Sequence, residues 1–306
     1  MDSYYMPDDL GVSLENLYAL ELNSQDKEIF EKYVEITRYV QEVNSLFLIF
    51  RCNLTNILNT FELRLNGALK RNKNIGFTED SYILVNAWTN NYISSARTLT
   101  ESIEKWLKNN DVILFNKFKK DFLSKTYDEK FSYRFFNQIR NFTQHGHLAV
   151  DFDLEGKFCF DFRKILDVKN FSISSTMSKE LESIKKEIRE TYGDAPYISY
   201  VRTIAEYNLA ITNIYNSFLN EIEPILNVRI TSLNDLLKDV TDDLSAKNFV
   251  KDNLLIYDFE EETGILHVLD IKEYFKRIFL SIKEESCKIL TQEKKFLQEI
   301  EMKSKK

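Results

Sequence analysis

Between Asp26 and Arg71 the apolar side chains recur at spacings of three and four: Phe30, Tyr33, Val34, Val40, Val43, Phe47, Phe50, Leu54, Ile57, Leu58, Phe61 and Leu65. That spacing follows the 3.6-residue turn and predicts one long amphipathic helix over the stretch. A helix of this length must bury its apolar stripe against other elements. Those elements should be mostly helices too, because only 7 Gly and 3 Pro punctuate 306 residues. Folds rich in tight turns need more of both. The expected fold class is mainly α, a helical bundle with one or two small β-hairpins inserted.

The rest of the chain divides along the same logic. Residues 1–24 are polar and irregular and read as an arm, and Asn72 to Gly76 as a loop. A second helix is expected from near Thr78 to Lys108, its apolar face carrying Ile83, Ala87, Trp88, Tyr92, Ala96, Leu99, Ile103 and Leu107. A short helix should follow from Val112 to Leu123, and Asp128 should cap another that carries Phe131, Phe135, Phe136 and Ile139. Gly146 should end that helix, since glycine accepts the left-handed conformation that closes many helices. Leu148, Val150, Phe152 and Leu154 then alternate with polar residues, Glu155-Gly156 offers a turn, and Phe158, Phe160 and Phe162 alternate back, as in a hairpin. A helix from Ser178 to Glu190, a break at Tyr192 to Pro196 and a long helix from Tyr197 to Ile222 come next. Pro224 is expected to end or kink that last helix. A second hairpin with Glu262-Thr263-Gly264 at its tip and a final helix from Ile271 to Ile300 complete the chain. The organisation expected is an arm at 1–25, a helical core at 26–170 with a hairpin at 148–162, and a C-terminal helical region at 171–306.

Cys52, Cys159 and Cys287 are far apart and show no ligand spacing, so buried free thiols are expected rather than a disulfide framework or a zinc site. The first residues lack a basic start followed by an apolar run, and the longest apolar run, Leu46 to Phe50, is too short to span a bilayer. A cytoplasmic protein with no membrane partner is the expectation. The net charge of −7 would repel nucleic acid if spread evenly. From Arg97 to His147, however, ten Lys and Arg stand against six acids. Lys117, Lys119, Lys120 and Lys130 in this segment are candidate RNA contacts.

The same segment carries Arg140-Asn141-Phe142-Thr143-Gln144-His145. On a helix, Asn141 and His145 share a face and Arg140 and Gln144 share the neighbouring stripe. One turn at the carboxyl end of a helix therefore presents a guanidinium, an amide and an imidazole, and that end favours a protonated imidazole. Arginine binds phosphate through a planar fork, and histidine moves protons near neutral pH. Together they suit attack on a phosphodiester by the neighbouring ribose 2′-hydroxyl, with Arg140 stabilising the charge that develops. No metal or other cofactor is called for. The reaction needs two proton transfers, which a symmetric dimer bringing two motifs together would supply.

These residues resemble the R-X4-6-H motif of the HEPN superfamily, in which a polar residue commonly follows the Arg, as Asn141 does. Tyr133-Arg134-Phe135-Phe136 before the motif and Gly146 after it are similar to a bacterial HEPN-like group with an Arg-Asn-Tyr-x-Gln-His core. The resemblance covers about Asp26 to Asp167. It implies a HEPN-like helical bundle, homodimerisation across the motif helices and metal-independent RNase activity, in settings such as toxin–antitoxin pairs or antiphage defence with a partner protein. By the motif match Arg140 and His145 are the catalytic pair and Asn141 a supporting residue.

Plainer roles stand beside these. His145 can cap its own helix, Arg140 can pair with Asp151 or Asp153, and Asn141 can bond the local backbone. His147 also fits the motif at its wider spacing. Tyr133 and Arg134 are further candidates for RNA contact, although packing suits the tyrosine better. His267 reads as a half-buried strand residue, and Trp88 and Trp106 as core. A non-catalytic helical module that binds a partner protein, a nucleotide or RNA is the alternative function.

Overall fold

The computed structural model describes residues 18–21, 24–69, 79–144, 146–153, 156–161, 164–165, 183, 186–187, 189–190, 197–246, 253–258, 263–268 and 271–304, with side-chain surroundings within 25–61, 81–236 and 276–302. The elements are β1 (Tyr18–Glu21), α1 (Ser24–Leu69), α2 (Glu79–Asn110), α3 (Val112–Phe118), a π-helical turn (Lys119–Ser124), α4 (Lys125–Glu129), α5 (Phe131–Gln144), β2 (Val150–Phe152), β3 (Phe158–Asp161), β4 (Tyr197–Ser199), α6 (Tyr200–Ala246), β5 (Asn253–Asp258), β6 (Thr263–Val268) and α7 (Ile271–Ser304). The fold is mainly α with small β insertions. No described helix is long and apolar enough to cross a membrane. The loop at 72–76, the cap at Thr78, the break at 192–196 and the body of the N-terminal arm lie outside the described residues.

The chain forms two compact units, each gathered from distant segments, with limits that fall inside α1, α6 and α7. One unit comprises residues 1–41 and 222–284. It buries Phe30, Tyr33, Ile36 and Val40 of α1, Leu226, Ile230 and Leu233 of α6, and Phe279 of α7. Its sheet has the order β1-β5-β6, with β1 parallel to β5 and β6 antiparallel to it. The strand at Tyr18–Glu21 corrects the reading of residues 1–24 as irregular. Its partner lies over 230 residues away, which local patterning cannot report. The expected hairpin tip is also corrected, since Thr263 and Gly264 already pair with Asp258 and Tyr257.

The other unit comprises 42–221 and 285–306 and has an aromatic core. Phe47 stacks on Tyr215 at 4.0 Å, Phe50 on Tyr92 at 4.7 Å, and Phe136 lies 4.6 Å from Tyr207. Phe135 and Phe136 of α5 meet Phe160 of β3 edge-on. Its sheet has the order β2-β3-β4, antiparallel throughout. The first hairpin is thus present, begins at Val150 rather than Leu148, and gains a third strand that the sequence did not announce.

Several expectations change for physical reasons. Pro224 lies inside α6 and does not end it. A helix-interior proline costs about 3 kcal/mol, but Ile222 and Leu226 on either side are buried, each contributing about 1.5–3 kcal/mol. Residues 197–199 are strand, so α6 begins at Tyr200. The helix expected to stop at Leu123 continues through the π turn to Glu129. The i→i+5 bonding of that turn lets Phe118 and Leu123, five apart, both be buried. Asp128 therefore lies inside α4 rather than before a helix, and the next helix opens after the extended Lys130. On α2 the buried face starts at Val85, Asn86 and Thr89, leaving Ile83 and Ala87 exposed, while Trp88 and Trp106 are half-buried. Cys159 is buried as expected, whereas Cys52 and Cys287 are exposed.

Candidate functional site

Helix α5 buries Phe131, Tyr133, Phe135, Phe136, Ile139 and Phe142. That leaves Arg134, Asn137, Arg140, Asn141, Thr143 and Gln144 at least partly exposed. Arg140, Asn141 and Gln144 thus come together on the open side of the last turn, as helical spacing predicts. His145 lies outside the described residues. Past it, Gly146 adopts φ +85° and donates its amide to the Thr143 carbonyl at 3.0 Å. The chain turns back there, and His147 stacks on Phe142 at 4.8 Å. His147 is half-buried against this ring, three residues before β2.

Two asparagines one turn apart on α2 brace the corner. Asn86 Nδ2 donates to the Val150 carbonyl at 3.0 Å, and the Val150 amide donates back to Asn86 Oδ1 at 2.9 Å. The side chain acts as a strand neighbour for the first residue of β2. Asn90 Oδ1 accepts from Thr143 Oγ1 at 2.9 Å and so holds the last turn of α5. Sequence reasoning missed both. The signal was present: asparagine is a poor helix-interior residue, so two of them four apart within a helix ask for a bonding partner elsewhere.

Arg140 is part-exposed, and among the described residues its guanidinium makes no hydrogen bond or ion pair. Its Nε is buried without an acceptor. The two acids considered as partners are engaged elsewhere: Asp151 pairs with Lys164 and accepts from the Phe152 amide at 2.9 Å, and Asp153 accepts from the Lys157 amide at 2.8 Å. The positive field of Arg140 reaches inward to Tyr207 of α6. Burial pushes that phenol well above its ordinary pKa, while Arg97 and Arg140 pull it down. Arg97 pairs with Glu101 at 2.7 Å.

The flanking candidates are largely occupied by the fold. Tyr133 is buried, its phenol pushed up to about 12, chiefly by that burial. Arg134 donates to the Tyr127 carbonyl, to the Asp128 carbonyl at 2.6 Å and to Glu187 Oε2 at 2.5 Å. Lys117 reaches both carboxylate oxygens of Glu221, at 2.9 and 2.8 Å. Lys119 sits 5.8 Å over the Phe115 ring, and Lys120 and Lys130 are exposed. Glu187 and Glu221 come from outside the basic segment, so its surplus of four positive charges falls to two. The side chain of His267 lies outside the description, and only its backbone pairing with Leu254 is defined.

Among the described residues no group of three or more His, Cys, Asp or Glu comes together to hold a metal ion. What the corner offers chemically is a guanidinium with open donors, amide groups on Asn141 and Gln144, and a half-buried imidazole at His147. Compared with known proteins, the chain matches no family model, no curated protein and no solved structure.

Proposed function

We propose that the protein is a metal-independent endoribonuclease of HEPN type, acting as a homodimer, with Arg140 and His145 as the catalytic pair and Asn141 in support. The observation that carries this reading is the state of Arg140. A guanidinium rarely forgoes acceptors inside a fold, because a buried donor without one costs about 1–3 kcal/mol. Here Nε is buried with no acceptor while the side chain as a whole is part-exposed, near the end of α5, beside the amides of half-buried Asn141 and exposed Gln144. An incoming phosphate would bond the terminal nitrogens of this part-exposed guanidinium, which no described acceptor engages. In the proposed reaction the ribose 2′-hydroxyl attacks the adjacent phosphorus and loses its proton to one imidazole. The 5′-oxygen leaves with a proton from the other, and Arg140 stabilises the equatorial oxygens. A role in a toxin–antitoxin pair or in antiphage defence would suit such an activity.

The test is purified protein with mixed RNA in EDTA. Cleavage leaving 2′,3′-cyclic phosphate ends, lost in Arg140→Ala and His145→Ala variants that keep their fold, supports the reading. Absence of cleavage by wild type under these conditions overturns it.

A second reading, a non-catalytic helical module that binds a partner, draws on the engagement of Tyr133, Arg134 and Lys117 in fold contacts. It expects no strand scission, and it expects salt-dependent RNA affinity only if the partner is RNA.

A further inference from the structure

Away from the α5 corner, the larger unit contains a cavity of about 370 Å³ between α1, α6 and α7. This size is within the ordinary range of ligand pockets. Its polar residues gather at one end, where Arg51 Nη1 pairs with Glu293 and lies 3.4 Å from Asn208 Oδ1. From there α1 runs through Leu54 and Leu58 to Phe61, about 15 Å along the helix at its usual rise. Helix α6 runs antiparallel beside it, from Asn208 back through Ile204 to Val201 and Tyr200. Phe61 and Tyr200, with ring centroids 5.6 Å apart, stand at the far end. The cavity is therefore charged at one end and apolar along its length, and Leu58, Val201 and Phe296 on its walls are exposed by 51%, 42% and 49%.

The polar end has a definite sense. All hydrogen bonds of Arg51 to described residues run through Nη1, and its side chain remains 28% exposed. A guanidinium carries five N–H donors, so those on Nε and Nη2 are open. Gln292 lines the same end. Glu293 opposes this charge, but its second oxygen, Oε2, is buried within the wall and is not accessible. The end thus offers open donors and few open acceptors.

We propose that this cavity binds a single-chain aliphatic carboxylate, its head on the free guanidinium edge of Arg51 and its chain along α1 and α6 toward Phe61. A depth of about 15 Å accommodates a chain on the order of twelve carbons, given C–C bonds of about 1.5 Å. The chain would cover Leu58, Val201 and Phe296, which water now meets.

The experiment uses the full-length protein and dodecanoate below its micellar concentration, measured by titration calorimetry. One saturable site is expected. Hexanoate, dodecanol and dodecylamine should each bind at least about tenfold more weakly, a difference of about 1.4 kcal/mol. Leu58→Asp, a change at an exposed wall position that leaves the fold intact, should weaken dodecanoate by a similar factor. Arg51→Gln should abolish the preference for dodecanoate over dodecanol. If that variant does not fold, the head-group series on wild type and the Leu58→Asp result decide the matter. No saturable dodecanoate site, equal binding of dodecylamine, or unchanged affinity in Leu58→Asp overturns the proposal. RNA cleavage is scored separately, so failure here leaves the nuclease reading standing, and the reverse holds.

Discussion

Replacing Asn86 with alanine removes the brace between α2 and the start of β2. Three hydrogen bonds go: the two exchanged with Val150 at 2.9 and 3.0 Å, and one to the Tyr82 carbonyl at 3.0 Å. The Tyr82 carbonyl retains its helical partner and loses little. Val150 is fully buried, so its amide and carbonyl become stranded without water. A stranded backbone group costs about 1–3 kcal/mol. With some relaxation shared between the two, Asn86→Ala should destabilise the fold by about 2–4 kcal/mol, a roughly 30- to 700-fold rise in the unfolding constant. Asn90→Ala makes the control. It removes one bond between exposed side chains and should cost about 0.5–1.5 kcal/mol. Urea titration followed by far-ultraviolet circular dichroism measures both, and amide exchange at Val150 should accelerate in Asn86→Ala ahead of exchange in α1. Equal losses from the two variants, or a loss below about 0.5 kcal/mol from Asn86→Ala, would refute the claim that a side chain completes the edge of β2.

Other outcomes follow from the same geometry. Gly146→Ala must hold φ +85° with a Cβ that meets no neighbour, so backbone strain alone should cost about 1–2 kcal/mol by urea titration; a loss below about 0.5 kcal/mol would discount strain at this position. A thiol reagent at pH 7.5 should modify Cys52 and Cys287 quickly and Cys159 only on unfolding, because burial first, and then Asp151, Asp153 and Asp161, push the Cys159 thiol up to about 12; rapid modification of all three thiols in native protein would contradict this. Burial raises the Glu293 carboxyl, so the folded state holds that proton to higher pH than the unfolded chain does. The linked stability is therefore present below the usual carboxylate range and declines as pH rises through it. Glu293→Gln should flatten that decline in urea titrations across the range, and an unchanged slope would count against it.

The helices were legible where burial follows a single uninterrupted stripe. Phe30 through Ile57 on α1 and Tyr92 through Leu107 on α2 repeat every three or four residues, and the end of α5 at Gly146 needs only local backbone chemistry. What local pattern cannot carry is a partner distant in sequence. Tyr18–Glu21 becomes a strand because Asn253–Asp258 lies beside it, and Tyr197–Ser199 because β3 does. Pro224 does not end its helix for a related reason: its helix-breaking tendency is local, while the burial of Ile222 and Leu226 that outweighs it is tertiary. At the candidate site, helical spacing alone places Arg140, Asn141 and Gln144 together. The surplus of the basic segment is smaller in the fold than in the sequence, because Glu187 and Glu221 meet Arg134 and Lys117 from elsewhere in the chain. Asn86 and Asn90 were readable in principle, as polar residues set where a helix has no use for them.

β4 passes into α6 with no intervening loop, Ser199 being strand and Tyr200 helix. Strand register and helix rotation are thereby geared together. A slip of one residue against β3 would turn the start of α6 by about 100° and present the opposite face of β4. Tyr200, Tyr207 and Tyr215 would leave their seats in one movement. Three short strands thus work as the index pin of a 47-residue helix. Since β2 of the same sheet and the end of α5 are both fastened to α2, through Asn86 and Asn90, the pin also couples the rotational setting of α6 to the turn that carries Arg140.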